Sequence, residues 1–500
     1  MSGGGGTTGD DRSAVRSEAG APGAGDADPA RRRPRLRRPG RRDVLRAVPY
    51  VLLVLVGLVA GCVHIARYTE FSPIDELRHL DYAMRAGSGQ VPRFGDLLIQ
   101  PAMREEACRG LELQWDDPPC RSRSFDPVAF RDNGYQIASI HPPTYYVATG
   151  LFARTAKFLG LSDTFVDPAR VWSALLLGIG LAVAFAAGRV MGIRRSPLFA
   201  VLVMVPVVPA VLHSASTVNP DSTAILVGAV VLLGAVLWER GRLPLWSLAV
   251  IGVVSTGVKF TSILAVLVMA GVFVVRADPV GWWRRRRTAS GDGGIATAAG
   301  VADPDGDPAP MRTSREYLLG TALMLGPAVA VALVWSVIDK VRAVVAPDVI
   351  PQIVQSKAHG MPPLSYFLNV NQVFAWFPPV NGYDTPRFVT VYTQDARVLL
   401  TYLFAGALLV GALRFARRDE ISLMAGFVAL IGLVGGPLYV ALNVGVQGIL
   451  LDLPARYGLS LFPFIVVVVA SFARRRVGTA VLWVIAVPAY VVTILAMLQH

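Results

Sequence analysis

An all-α membrane protein that crosses the bilayer about eleven times, with a large first extracytoplasmic loop carrying surface helices, is the fold the sequence predicts. Three observations lead there. Hydrophobic residues make up 53% of the 500 and charged residues only 17%, against the about 25% usual in soluble domains. The apolar residues come in blocks of about 16 to 25, separated by Arg-rich or Pro/Gly-rich stretches, which is the pattern of membrane spans. The clustered Arg lies next to those blocks, where positive charge marks the cytoplasmic side. The net charge of +13 therefore reads as topology and not as nucleic-acid binding. An ordinary soluble enzyme, a wholly disordered chain, a coiled coil and a disulfide-dense secreted scaffold are excluded. Lys occurs only at Lys157, Lys259, Lys340 and Lys357, and this bias toward Arg, Ala, Val and Gly points to a high-GC bacterial gene.

Residues 1–43 form a basic cytoplasmic tail. Its first thirty residues lack apolar periodicity and read as disordered, and nine Arg follow between 31 and 46. That arm is too long for a cleaved signal peptide and no small-residue cleavage site follows it. A membrane module covers 44–275: a first span at 44–66, the outer loop 67–168, and a second span at 169–189 that returns to the turn with Arg189, Arg194 and Arg195. Spans at 196–212 and 221–238 come next. Residues 244–275 are too long for one helix and carry cytoplasmic charge on both flanks (Arg240 and Arg242, then Arg284 to Arg287), so they read as a hairpin of two short helices turning near Ser255–Lys259. A flexible cytoplasmic loop, 276–316, leads to a second membrane module, 317–500. It holds a span at 317–337, the outer loop 338–396, and spans at 397–413, 421–443, 457–472 and 477–498, which alternate around Arg417–Arg418 and Arg474–Arg476. This places the protein in the plasma membrane with its N-terminus in the cytoplasm and its C-terminus outside. Segment 143–160 carries Arg154 and Lys157, and if it crossed, the Arg189–Arg195 cluster would lie outside. It is therefore read as a helix on the outer surface.

Cys108 and Cys120 share the first outer loop, where they are either two free thiols or a disulfide closing thirteen residues, worth ~3 kcal/mol by chain entropy. Cys62, inside the first span, reads as core. Zinc-type Cys spacing, phosphate-binding loops, dinucleotide fingerprints and the G-x-S-x-G elbow do not occur.

Five short segments carry the candidate chemistry. In Phe71–Tyr82, Pro73 can start a helix with Asp75 and Glu76 in its first turn. His79, four residues after Asp75, then shares their face, either as an Asp–His pair or as part of an acid–His site at the outer surface. The run Tyr135–Tyr146 contains His141-Pro142-Pro143, which opens a helix offering Tyr145 and Tyr146, rings that also suit an interfacial belt. Asn219-Pro220-Asp221 suits a cap at the outer end of its span. Lys259 sits at the turn of the short-helix hairpin, where an ammonium snorkels or takes an anionic partner such as a lipid phosphate. Arg456-Tyr457 begins the tenth span, where the guanidinium fork is an interface anchor or a phosphate ligand. The outer stretch 361–392 is rich in aromatic rings (Tyr366, Phe367, Phe374, Trp376, Phe377, Tyr383, Tyr392) that stack on sugars or rest at headgroup level.

Together and in this order, the segments resemble the GT-C superfamily of polyprenyl-phosphate-dependent glycosyltransferases, with the protein mannosyltransferases and the lipid A aminoarabinose transferase as the nearest look-alikes. The resemblance is carried by Asp75-Glu76 with His79 and Tyr82, His141-Pro142-Pro143-Thr144-Tyr145-Tyr146, Asn219-Pro220-Asp221, Gly257-Val258-Lys259-Phe260 and Ala455-Arg456-Tyr457. It covers most of 44–275 and returns near 447–463. It implies transfer of a sugar from a polyprenyl phosphate to an extracytoplasmic glycan, lipid or protein acceptor, with inversion at the anomeric carbon. Carried over, Asp75 with Glu76 is the catalytic acidic pair and Asp75 the general base, while Lys259 and Arg456 receive the leaving phosphate. Asp221, with His79 and His141, is the second acidic site for acceptor or metal, and Tyr82, Tyr145, Tyr146 and Tyr457 contact sugar or lipid. Some members use a divalent ion; here Asp75, Glu76, His79, His141 and Asp221 are the residues able to ligate one. Ile74 departs from the Pro-Asp-Glu triplet of many members, and no large C-terminal soluble domain follows, so donor sugar and acceptor stay open. Two other classes compete: a transporter or flippase for a lipid-linked glycan, and a non-catalytic partner in envelope assembly.

Overall fold

The computed structural model describes residues 41–111, 118–278, 312–370, 391–450 and 453–499. The arginines of 31–40, Arg284–Arg287 and the rings between 371 and 390 lie outside the described residues. Among those described there is no strand; three isolated bridges, Phe71 to Leu111, Leu97 to Tyr135 and Lys357 to Ile449, tie loops together.

The chain is an α-helical, multi-pass membrane protein. Seven helices among the described residues are long and apolar enough to cross a bilayer: Leu45–Arg67, Val166–Val190, Pro220–Glu239, Phe260–Ala277, Ser314–Arg342, Glu420–Gly445 and Arg476–Gln499. Three shorter apolar helices, Trp246–Val258, Val398–Leu413 and Arg456–Phe472, and one bent pair complete the apolar set. On the helices at the rim, large apolar side chains such as Leu333, Val334 and Val484 stay exposed, as a lipid-facing surface requires.

Helices are labelled in chain order. α1 (Arg41–Arg67) leads to the shorter helices α2 (Glu76–Ala86), α3 (Gln100–Arg109) and α4 (Thr144–Phe158). α5 (Val166–Val190) crosses back. α6 (Arg195–Met204) and α7 (Pro209–Ser216) correspond to the span expected as one helix over 196–212, but they meet at a 69° bend. Pro206 and Pro209 bracket the break, and a proline in mid-helix removes a hydrogen bond and clashes with the preceding turn. α8 (Ala224–Glu239) is followed by α9 (Trp246–Val258) and α10 (Ile263–Ala277), which are separated at Lys259, where the backbone is extended at φ −157°, ψ 134°. α11 (Ser314–Arg342) starts on a capping box made by Thr313 and Glu316 and lies along α9 and α10. Later come α12 (Pro351–Gln355), α13 (Leu364–Val370), α14 (Val391–Leu413), α15 (Glu420–Leu442), α16 (Phe462–Phe472) and α17 (Arg476–Gln499).

One buried apolar cluster runs through the membrane helices, joining Leu177, Val231, Met269, Met324, Met424 and Phe464, so both halves of the chain share a core. A second lies around Phe71, Leu80, Tyr82, Phe130 and Tyr146, between the first two long helices in sequence. α4 belongs there: at 15 residues, with Arg154 and Lys157, it is shorter than a span and packs on α2 and α5. Cys108 and Cys120 form a disulfide with Cα atoms 4.4 Å apart. Residues 335–344 dock on residues 91–139 through Val344 N to Phe94 O (2.8 Å), Arg342 Nη2 to Val91 O (2.8 Å) and Trp335 Nε1 to Ser139 O (3.1 Å).

Small residues set the close crossings that position the site. A Cβ on Gly178 of α5 would meet the Val54 carbonyl of α1 at 2.5 Å. Gly228 of α8 lies against the Ser460 carbonyl, so the 3-10 segment Ala455–Leu461 rests directly on α8. Gly228→Leu is expected to push that segment away and to lower stability by about 1–3 kcal/mol, the usual range for overpacking. The check is the thermal midpoint in detergent, and an unchanged midpoint would contradict this packing.

Candidate functional site

Five segments distant in sequence meet at one end of the helices: the start of α2, the turn before α4, the link between α7 and α8, the break at Lys259, and the 3-10 segment Ala455–Leu461.

α2 starts at Glu76, three residues later than a helix opened by Pro73, so Asp75 precedes its first turn. Asp75 is the N-cap in a left-handed conformation, φ 59°, ψ 7°, which an L-residue adopts at a cost and Asp tolerates better than most. Its carboxylate does not cap the helix; Oδ1 accepts from Arg78 Nη1 at 2.6 Å, and the side chain stays 30% exposed. The expected Asp75–His79 pairing is replaced, because Arg78 is nearer and charged. Burial pushes the Asp75 carboxyl up, but the positive charges of Arg78, Arg456 and Arg131 outweigh it and hold the group below its ordinary value.

Glu76 is 1% exposed and fully engaged. Arg170 of α5 donates to both carboxylate oxygens at 2.8 Å, and the amides of Ser72 (2.8 Å) and Val218 (2.9 Å) fill its remaining acceptor positions. Arg170 also donates to the carbonyls of Tyr68, Thr69 and Glu70. This one pair fastens the end of α1, the start of α2, α5 and the α7–α8 link. Burial raises the Glu76 carboxyl, and the Arg170 charge and bonds with the two amides more than reverse it, for a net lowering. Glu76 is thus placed as a strut beneath Asp75, with no acceptor position left for a substrate proton.

His79 Nδ1 bonds the Tyr146 hydroxyl at 2.8 Å, and its ring lies 5.8 Å from that of His141. Burial, followed by the charge of Lys259, drives both imidazoles well below their ordinary value, so both are neutral at pH 7. His141 Nδ1 has no hydrogen-bond partner among the described residues. The tyrosines depart from the expected surface role. Tyr82 and Tyr146 stack 3.8 Å apart, Tyr145 bonds Ser173 Oγ at 3.0 Å, and all three are buried.

Asp221 is buried in a 3-10 turn that Asn219 caps by accepting the Asp221 amide at 2.9 Å. With Asn219 as cap, the Asp221 carboxylate joins two cations: Oδ1 pairs with Lys259 Nζ, and Oδ2 accepts from Arg456 Nε at 2.9 Å. Lys259 does not snorkel. It is 3% exposed, and its ammonium lies 4.8 Å from the centre of the Tyr457 ring, which the Arg456 guanidinium also covers at 5.6 Å.

Among the described residues no group of three His, Cys, Asp or Glu is placed to hold a metal ion. The donors do not fit one: Glu76 is filled by Arg170 and two amides, and Asp221 is clasped by two cations, which repel a divalent ion. Asp75, Glu76, His79, His141 and Asp221 are thus not brought together as a shared ligand set among the described residues.

Several partners were not singled out in the sequence. Arg170 is an ionisable residue inside an apolar block, a signal that marks a paired or functional group. Arg78 stood between Glu76 and His79 and was passed over as spacing. Ser72 Oγ lies 2.9 Å from His213 Nε2 on α7, a contact that only the bent α6–α7 pair makes. Comparison with family models, curated proteins and solved structures gives no match.

Removing the charge in Glu76→Gln strands Arg170 in the interior, and stability is expected to fall by about 3–5 kcal/mol. Because the Glu76 carboxyl is lowered on folding, its contribution is complete above the ordinary glutamate value of about 4.3 and is lost as pH falls through the lowered folded value. Thermal midpoints across pH 3–7 for wild type and variant check both points. Curves that stay parallel over the whole range would contradict them.

Proposed function

We propose that the protein is an integral membrane glycosyltransferase that moves a sugar from a polyprenyl-phosphate donor to an extracytoplasmic acceptor in the cell envelope. In this reading the eleven apolar segments are spans of a GT-C-like fold, the N-terminus is cytoplasmic and the site faces outward. The observation that carries it is the meeting of a partly exposed, ionised Asp75 with the buried cations Lys259 and Arg456. Transfer needs both: a base for the acceptor hydroxyl and positive charge where the leaving phosphate develops its own.

Asp75 takes the acceptor proton as the acceptor oxygen bonds the anomeric carbon from the face opposite the phosphate. The bond from that carbon to the phosphate oxygen breaks with inversion, and the phosphate keeps the electron pair. Lys259 and Arg456 stabilise the added charge, with Asp221 holding the two cations together before the donor arrives. His79 and His141, both neutral, supply hydrogen bonds beside the base and carry no charge of their own. Glu76 positions the turn that presents Asp75.

A second reading, movement of a lipid-linked glycan across the membrane, draws on the 69° bend between α6 and α7 and the unwound residue at Lys259, since transporters use broken helices. Here, though, the charges cluster with the outer loops.

Membranes containing wild type, Asp75→Asn or Lys259→Ala, supplied with a panel of radiolabelled polyprenyl-phosphate sugars, separate the readings. Loss of transfer by about a hundredfold or more in Asp75→Asn at equal expression is expected, the range for removing a general base, with a comparable loss in Lys259→Ala. Equal transfer by wild type and Asp75→Asn would remove Asp75 as base. Movement of intact donor across the membrane without transfer would favour the transporter.

A further inference from the structure

Arg78 is 3% exposed, and its guanidinium reaches two carboxylates at once. Nη1 donates to Asp75 Oδ1 at 2.6 Å, and Nη2 donates to Asp132 Oδ2. Both aspartates have left-handed backbones, φ 59° at Asp75 and 53° at Asp132. Such a conformation is uncommon for an L-residue other than Asp or Asn and persists where the surroundings hold it. Asp132 is held from a second direction: its Oδ1 accepts from the Gln352 amide of α12 at 2.8 Å, so the second outer segment grips it. The backbone of Arg78 is held too, its carbonyl accepting from the buried Gln136 side chain at 2.9 Å.

We infer that Arg78, braced by Asp132, is the positioning residue that aims the Asp75 carboxylate into the outer site. The inference rests on Asp75 being the base of that site, but its deciding readout is a modification rate and not sugar transfer. Only a planar fork with several fixed donors can bridge two carboxylates in this way; the single ammonium of a lysine would keep the charge and lose the geometry. The bridge leaves one Asp75 oxygen outside the bond to Nη1 and fixes where it lies. It also makes the aim of Asp75 depend on the docking of α12, through Gln352 and Asp132. The other groups that face Asp75 are Arg131 and Asp132 from the first outer loop, His141 before α4, Lys259 and Arg456. Glu76 beside it is neutralised by Arg170.

The test is the rate at which a water-soluble carbodiimide with an added amine modifies Asp75 at pH 5.5, on the purified full chain in detergent, read by peptide mass spectrometry. Only the protonated carboxyl is activated, so each unit of pKa is about a tenfold change in rate in this range. Arg78→Gln removes an opposite charge in contact with Asp75 and is expected to raise the rate about tenfold or more. Arg78→Lys keeps the charge and should stay within about threefold of wild type. Asp132→Asn removes a neighbouring negative charge and frees the fork for Asp75 alone, so the rate is expected to fall. The opposite signs matter, because a general loosening of the outer region would expose Asp75 and raise the rate in all three. An unchanged rate in Arg78→Gln, or a rise in Asp132→Asn, would overturn the proposal. Should Arg78→Gln fail to fold, the other two variants still decide it. In the transfer assay, Arg78→Lys should lose activity although Asp75 stays ionised. If wild type transfers nothing, the glycosyltransferase reading fails while the modification rates still judge the bridge.

Discussion

A charge taken out of water must find its opposite, and the part of this protein around α2, α4 and the α7–α8 link is arranged around that constraint. The effective cost of burying a single ion is several kcal/mol, and it is offset only by a partner in good hydrogen-bonding geometry. Glu76 and Arg170 meet across 94 positions of sequence, and Asp221 and Arg456 across 235. Neither separation is bridged by local structure. Each pair therefore acts as a condition on the tertiary fold: α5 must lie against the start of α2, and the Ala455–Leu461 segment must lie against α8. Other arrangements of the same helices would leave charges stranded in a low-dielectric interior.

The backbone supplies what the charges need in order to meet. A regular helix through residue 259 would carry its side chain past Asp221. The extended break there places the ammonium at the end of α9 with short apolar helices on either side. Gly228 removes the side chain that would hold Ser460 away, so Arg456 reaches Asp221. The bend at Pro206–Pro209 turns α7 toward the first outer loop, where His213 meets Ser72. Each of these departures from regular helix sits beside a polar contact, which is how a largely apolar bundle accommodates a polar site at one end.

Much of the helical scaffold was legible because it depends on local properties. Apolar blocks of spanning length and the Arg clusters beside them are read residue by residue, and every apolar segment proposed from them coincides with a helix or with the bent pair. The bend itself was hidden, since Val, Leu and Ala continue unbroken on both sides of Pro206 and Pro209 and hydropathy alone carries no direction. The site was legible only as a set of residue types. Asp75, Asp221, Lys259 and Arg456 were singled out, but their connections were not, because pairing over long sequence distances leaves no periodic signal. Spacing favoured Asp75 with His79 on one helical face; the start of α2 at Glu76 and the closer guanidinium of Arg78 decided otherwise. Tyr145 and Tyr146 looked like an interfacial belt by composition, whereas the structure buries them in a second apolar cluster beside the membrane helices.

The division of labour between the neighbouring acids follows from their surroundings. Glu76 is satisfied on every side and rigid, while Asp75 is held at one oxygen and partly open. Asp221 neutralises two cations that a bound anion would otherwise have to meet bare. The proposed function rests on the Lys259–Arg456 pair, which in that reading receives the donor phosphate. The most direct test is a cryo-electron-microscopy structure of the full chain in lipid nanodiscs saturated with a polyprenyl phosphate. The account predicts phosphate density beside Lys259 and Arg456, within the group formed by Asp221, Asp75 and Tyr457. Phosphate density at the opposite ends of the helices, near Arg240 or Arg474, with none beside Lys259, would contradict it.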